Sequence, residues 1–170
     1  MKILDRLPFF EARSAVWAPD QLATVKPYQI IVTVSLTPRE LMDPDPGLPR
    51  FPAILDTGHN HNFAISETHP RSWAHLTPAG SRHQIRVQGR PVPLINAGLW
   101  LFPNEPRHIT ASGRSPMRLA LPEGIAVYPD DLPSPARLPI IGLRALATNE
   151  LRLIVNGKRR LVTLKTRGWF

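Results

Sequence analysis

Short apolar runs alternate along this chain with segments built from proline, glycine and acids. Residues 28–36 (YQIIVTVSL) are rich in β-branched side chains and lie between Pro27 and Pro38, which predicts a strand. Residues 37–49 are turn chemistry, with prolines beside acids and Gly47. A short apolar strand over 51–55 (FPAIL) runs into Asp56-Thr57-Gly58, and the strand pattern resumes over 62–66 (NFAIS). Residues 67–80 read as irregular, with Pro70 and Pro78. Residues 83–87 (HQIRV) alternate polar and apolar positions and lead into a turn at Gln88-Gly89-Arg90. Residues 92–102 predict a strand or strand pair, 103–116 an exposed loop, and 117–127 two strand fragments around Pro122 and Gly124. After a proline-rich connection, Ile140-Ile141-Gly142 is an apolar strand end, and 143–149 (LRALATN) favours a short helix with Leu143 and Leu146 on its apolar face. Finally, 151–155 and 161–164 flank Asn156-Gly157, which predicts a tight hairpin because both residues accept positive φ. The fold class is all-β with one short helix: an N-terminal arm or loose strand pair over 1–27, then one domain over 28–170.

Composition sharpens this picture. The 20 prolines in 170 residues are more than double the usual frequency of about 5%, and proline interrupts helices while tolerating turns and sheet edges. The absence of cysteine excludes disulfides, thiolate zinc sites and cysteine nucleophiles. Asp5, Arg6, Glu11 and Arg13 break up the N-terminal apolar runs, so the start reads as a poor signal peptide. No window reaches the roughly 18 apolar residues of a membrane span, and a soluble cytoplasmic protein without membrane partners is expected. The net charge of +8 is compatible with nucleic-acid binding. Its arginines are scattered, however, except where Arg152, Lys158, Arg159, Arg160, Lys165 and Arg167 gather. A solvated basic face is therefore the favoured reading and nucleic acid the less favoured one.

Asp56 follows an apolar strand directly, where an unpaired buried charge would be costly. The small Thr57 and Gly58 suit a tight loop approached closely by another backbone. Asp-Thr-Gly is also an ordinary turn sequence, so context decides. Residues 51–66 (FPAILDTGHNHNFAIS) and 138–157 (LPIIGLRALATNELRLIVNG) together resemble the retropepsin-like aspartic peptidases. In that family an apolar strand enters Asp-Thr/Ser-Gly, another strand follows, and downstream an apolar pair precedes a glycine and a short helix. The resemblance implies a closed β-barrel that dimerises about a two-fold axis, with one Asp56 from each copy activating a water for peptide hydrolysis. Under it Asp56, Thr57 and Gly58 are the catalytic triplet, Thr57 bonding across the dimer and Gly58 offering its carbonyl to the polypeptide substrate. His59, Asn60, Gly89 and Ile141 are then the substrate-binding candidates, with a flap between about Thr77 and Gly89 turning near Gly80 or Gly89. No cofactor or metal is implied. Two departures stand out: His59-Asn60 replace the usual small residues, and Arg144 stands where relatives carry an acid or Asn.

Other candidates carry less. His59 and His61 would share one side of a strand, but His69, His75, His83 and His108 supply no third zinc ligand at recognisable spacing. Trp17, Trp73, Trp100 and Trp169 read as core or interface residues rather than base-stacking platforms. No G-x-S-x-G, Walker loop or G-x-G-x-x-G is present. Two rivals to the peptidase remain: a non-catalytic dimeric binding module, and an arginine-rich nucleic-acid-binding protein.

Overall fold

The computed structural model describes residues 1–44, 47–77, 83–104, 115–131 and 138–167. Among them the strands are β1 (Lys2–Pro8), β2 (Ser14–Trp17), β3 (Leu22–Val25), β4 (Ile30–Pro38), β5 (Phe51–Asp56), β6 (Phe63–Ser66) and β7 (His83–Val87). They continue with β8 (Arg90–Ile95), β9 (Ala97–Leu101), β10 (Met117–Leu119), β11 (Ile125–Tyr128), β12 (Ile140–Gly142), β13 (Leu151–Asn156) and β14 (Leu161–Thr166). Two short helices, α1 (His69–Ala74) and α2 (Leu143–Thr148), complete the described structure. The chain is thus mostly β, and no described helix is long and apolar enough to cross a membrane.

Nine strands form one sheet in the order β10-β9-β4-β5-β12-β6-β11-β8-β7. Three features centre it on Asp56. β4 runs antiparallel to β5 with Ile30 opposite Leu55. β12 inserts between β5 and β6, parallel to the first and antiparallel to the second. β11 then extends β6 in parallel. Burial alternates along β5, so Phe51, Ala53 and Leu55 face the core while Asp56 emerges exposed. This is the two-residue period of a half-buried strand.

The expected closed barrel is not found among the described residues. The sheet is open, with β10 and β7 as its unjoined ends. β10 is only three residues long, and β7 leaves His83, Gln84 and Arg86 exposed, so neither offers a long apolar edge for closure. The expectation of one helix is also corrected. α1 forms inside the stretch read as irregular, because Pro70 falls in its first turn, where a missing N–H costs nothing. Trp73 anchors α1: fully buried, it packs against Phe51, stacks under His69 and donates from Nε1 to Asp20 Oδ1 at 2.7 Å.

Asp20 lies in the loop of the β2–β3 hairpin, so residues 1–27 are tied into the fold at two places. β1 pairs antiparallel with β14, itself paired with β13, and Ile3, Leu4, Ala23 and Val25 join the main core. Asn104 fastens β1 further by accepting from the Asp5 N–H (2.7 Å) and donating to the Asp5 carbonyl (2.8 Å).

Two turns exchange the chemistry expected of them. The β13–β14 hairpin forms, but Asn156 pairs with Leu161, leaving a loop over 157–160 in which Arg160 takes the positive φ of 57°. Asn156 instead accepts from the Arg159 N–H through Oδ1 at 3.0 Å. The tight two-residue turn is Gln88-Gly89, with φ of 52° and 80°, joining β7 to β8.

Candidate active site

The loop after β5 is held from inside and from below. The Gly58 N–H donates to Asp56 Oδ1 at 2.8 Å, and the His59 N–H donates to the Asp56 carbonyl at 3.2 Å. β12 supplies the floor: Ile141 lies opposite Leu55 and Gly142 opposite Asp56. Two bonds then fasten the loop to the start of α2. The Gly142 N–H donates to the Asn62 carbonyl (3.0 Å), and the Leu143 N–H donates to the His59 carbonyl (2.9 Å). α2 has no side-chain cap, so the loop's carbonyl at His59 satisfies one of the donors that every helix start leaves open.

Gly142 is sterically required. A Cβ there would lie 1.9 Å from the His61 carbonyl oxygen and 2.6 Å from that of His59. The neighbours are backbone, which cannot swing away as a long side chain can. The apolar-apolar-glycine signature thus reports a backbone that passes directly under the Asp56 loop.

Asp56, Thr57, Gly58 and Asn60 are all exposed, whereas His59 is only partly so. Its ring packs on Gly142 and meets the His61 ring edge to face at 5.5 Å. His59 Nε2 is buried and has no hydrogen-bond partner among the described residues. Burial holds the His59 imidazole below its ordinary pKa, the neighbouring His61 adds to this, and Asp56 opposes it. His61 is lowered first by burial and then by Arg144, with Glu123 opposing. Arg144 and Glu123 form an ion pair beside it, so the unusual arginine is neutralised within its own chain. Among the described residues no group of three or more His, Asp or Glu could hold a metal ion.

The remaining candidates separate. Ile141 is fully buried in the core, so it supports the loop from beneath rather than lining an open surface. Gly89 stands at the tip of the β7–β8 hairpin, and β12, β6 and β11 lie between that hairpin and β5 in the sheet. Gly80 and most of the expected 103–116 loop, with His108, lie outside the described residues, as does Trp169. Trp73 and Trp100 are core residues, but Trp17 is 78% exposed.

Three features escaped the sequence reading. Leu143, assigned to the apolar face of α2, is 48% exposed, while Ala145 and Leu146 are buried. Tyr28, 72% exposed, lies two residues beyond the Ile30–Leu55 pair and so at the end of the sheet where Asp56 emerges. It holds a positive φ of 64°, and its N–H donates to the Phe10 carbonyl at 2.6 Å. Asn62 is buried, yet neither amide atom has a partner among the described residues. A buried asparagine without partners is costly, and no local pattern announces it. Compared with protein-family models, curated proteins and solved structures, the chain finds no match in any of the three.

Proposed function

We propose that the chain is an aspartic endopeptidase of the retropepsin-like type, acting as a two-fold homodimer with one Asp56 from each copy. The observation that carries this reading is the parallel pairing of β12 with β5, which sets Gly142 opposite an exposed Asp56. A motif that was merely a surface turn would need no second strand and no obligatory glycine beneath it. Exposed Tyr28 and Leu143 flank the same end of the sheet, an apolar setting suited to burial against a second copy.

In the dimer two carboxylates approach within hydrogen-bonding distance. Like charges so close cannot both ionise readily, and the pair holds one proton between them. The ionised carboxylate takes a proton from a bound water, which attacks the peptide carbonyl carbon. The protonated carboxylate donates to the carbonyl oxygen, and the roles reverse as the tetrahedral intermediate collapses onto amine and acid. The Gly58 N–H on Asp56 Oδ1 holds that carboxylate's orientation. The inward turn of His59 leaves the exposed face to Asp56, Thr57 and Asn60.

The test is cleavage of a diverse peptide library between about pH 4 and pH 7, comparing wild type with Asp56→Asn. Cutting by wild type that vanishes in the variant supports the proposal. Cutting that survives the substitution overturns the Asp56 mechanism, and a folded dimer that cuts nothing returns the choice to a binding module.

A further inference from the structure

Three cations stand side by side across the sheet β1-β14-β13. Lys2 lies opposite Lys165, and Lys165 lies opposite Arg152. Directly opposed residues project from the same face. That face is the outer one, because the alternate residues Val162 and Leu164 are buried while Arg152 is exposed and Lys165 partly so. Like charges placed opposite one another destabilise a sheet. Of the three, only Lys2 forms an ion pair among the described residues, with Asp5 at 3.1 Å.

The neighbouring loop over 157–160 adds exposed Lys158, Arg159 and Arg160, the last paired with Glu11 at 2.6 Å. Arg6 on β1 and Arg167 just beyond β14 are exposed as well. Residues 1–8 and 150–167 together hold eight Lys and Arg against Asp5 and Glu150, which is six of the chain's net eight positive charges. The fold gathers onto one sheet cations that lie at opposite ends of the chain.

We propose that this outer face binds the phosphodiester backbone of nucleic acid without reading its sequence. A ligand able to meet cations at this density needs a negative charge on nearly every unit. A nucleic acid carries one at each nucleotide, whereas a polypeptide does so only in an acidic run. Residues 1–8 and 150–167 contain no Phe, Tyr or Trp, so no aromatic platform there stacks bases, and binding is to phosphate alone. The proposal does not involve Asp56 and stands whether or not the chain is a peptidase.

The experiment is fluorescence anisotropy with a labelled mixed-sequence oligonucleotide of about 20 nucleotides, single-stranded and as duplex, between about 50 and 200 mM salt. The combined variant Arg152→Gln, Lys158→Gln, Arg159→Gln is compared with an equal charge loss elsewhere, Arg13→Gln, Arg71→Gln, Arg86→Gln. All six residues are exposed, and circular dichroism checks that both variants fold. The expected result is wild-type binding that weakens steeply with salt. The first variant should lose about ten-fold or more, with the log–log salt slope reduced by about two to three, one for each phosphate contact removed. The second should stay within about two-fold of wild type. Equal loss in both variants, no binding at the lowest salt, or tighter binding to a poly-glutamate peptide or to anionic lipid vesicles would overturn the proposal.

Discussion

Gly142 shows how strictly a single position can be set by what passes over it. Adding one methyl group would bring it against the backbone oxygens of both His59 and His61. Gly142→Ala is expected to cost about 3 kcal/mol, the upper range for overpacking, and to abolish cleavage by displacing the Asp56 loop. Urea denaturation measures the first effect, and an unchanged midpoint would show that the loop yields easily. The histidines carry a second residue-scale prediction. His59, His61 and His69 all have folded pKa values lowered chiefly by burial, from the ordinary histidine value of about 6.5. The unfolded chain therefore binds more protons than the folded one between the lowered values and 6.5. Their stabilising contribution is complete above about pH 6.5 and is lost as the pH falls through the folded values. The melting temperature should drop from neutral to mildly acidic pH, and His69→Gln should flatten the profile. A profile that does not move in that window would mean these rings titrate as if exposed.

At the scale of elements, asparagine side chains replace missing strand partners. Asn149 accepts from the Ala120 N–H (2.7 Å) and donates to the Ala120 carbonyl (3.0 Å), as Asn104 does with Asp5. Asn104→Ala should destabilise by about 1 to 2 kcal/mol, because it strands a partly buried donor and acceptor together. Asn104→Asp, which keeps the acceptor, should fall between the variant and wild type in denaturant midpoint. Such links also explain which parts of the fold were legible in advance. Strands such as β4, β5 and β7 were readable because β-branched content, alternation and flanking turns are local. α1 was not, since its stability comes from Trp73 meeting Phe51 and Asp20 across long stretches of sequence. The Asn156-Gly157 hairpin was foreseen but its turn was not, because the ladder extends to Asn156 and pushes the bend onto Arg160. The Asp56 triplet was visible because it is contiguous. Leu143 and Tyr28 were not, because exposure beside Asp56 arises only once β4 and β12 flank β5.

For the whole molecule, the decisive property is that one chain contributes a single Asp-Thr-Gly, and Asp56 is exposed at a sheet end. If the active unit is a two-fold dimer, chains bearing Asp56→Asn should act on their wild-type partners. The substitution leaves Oδ1 available to the Gly58 N–H and touches no core residue, so the variant should fold and associate normally. In a randomly exchanged equal mixture half of the wild-type chains would sit in mixed dimers. Those dimers hold one carboxylate and one amide and cannot share a proton as two carboxylates do. Activity per wild-type chain should therefore fall to about one half, and keep falling in proportion as more variant is added. Diluting wild type alone should lower specific activity as dimers dissociate, which locates the concentration at which the mixing must be done. A mixture whose activity is simply that of its wild-type content would show that each chain works alone, and the shared dyad would have to be abandoned even if cleavage itself depended on Asp56.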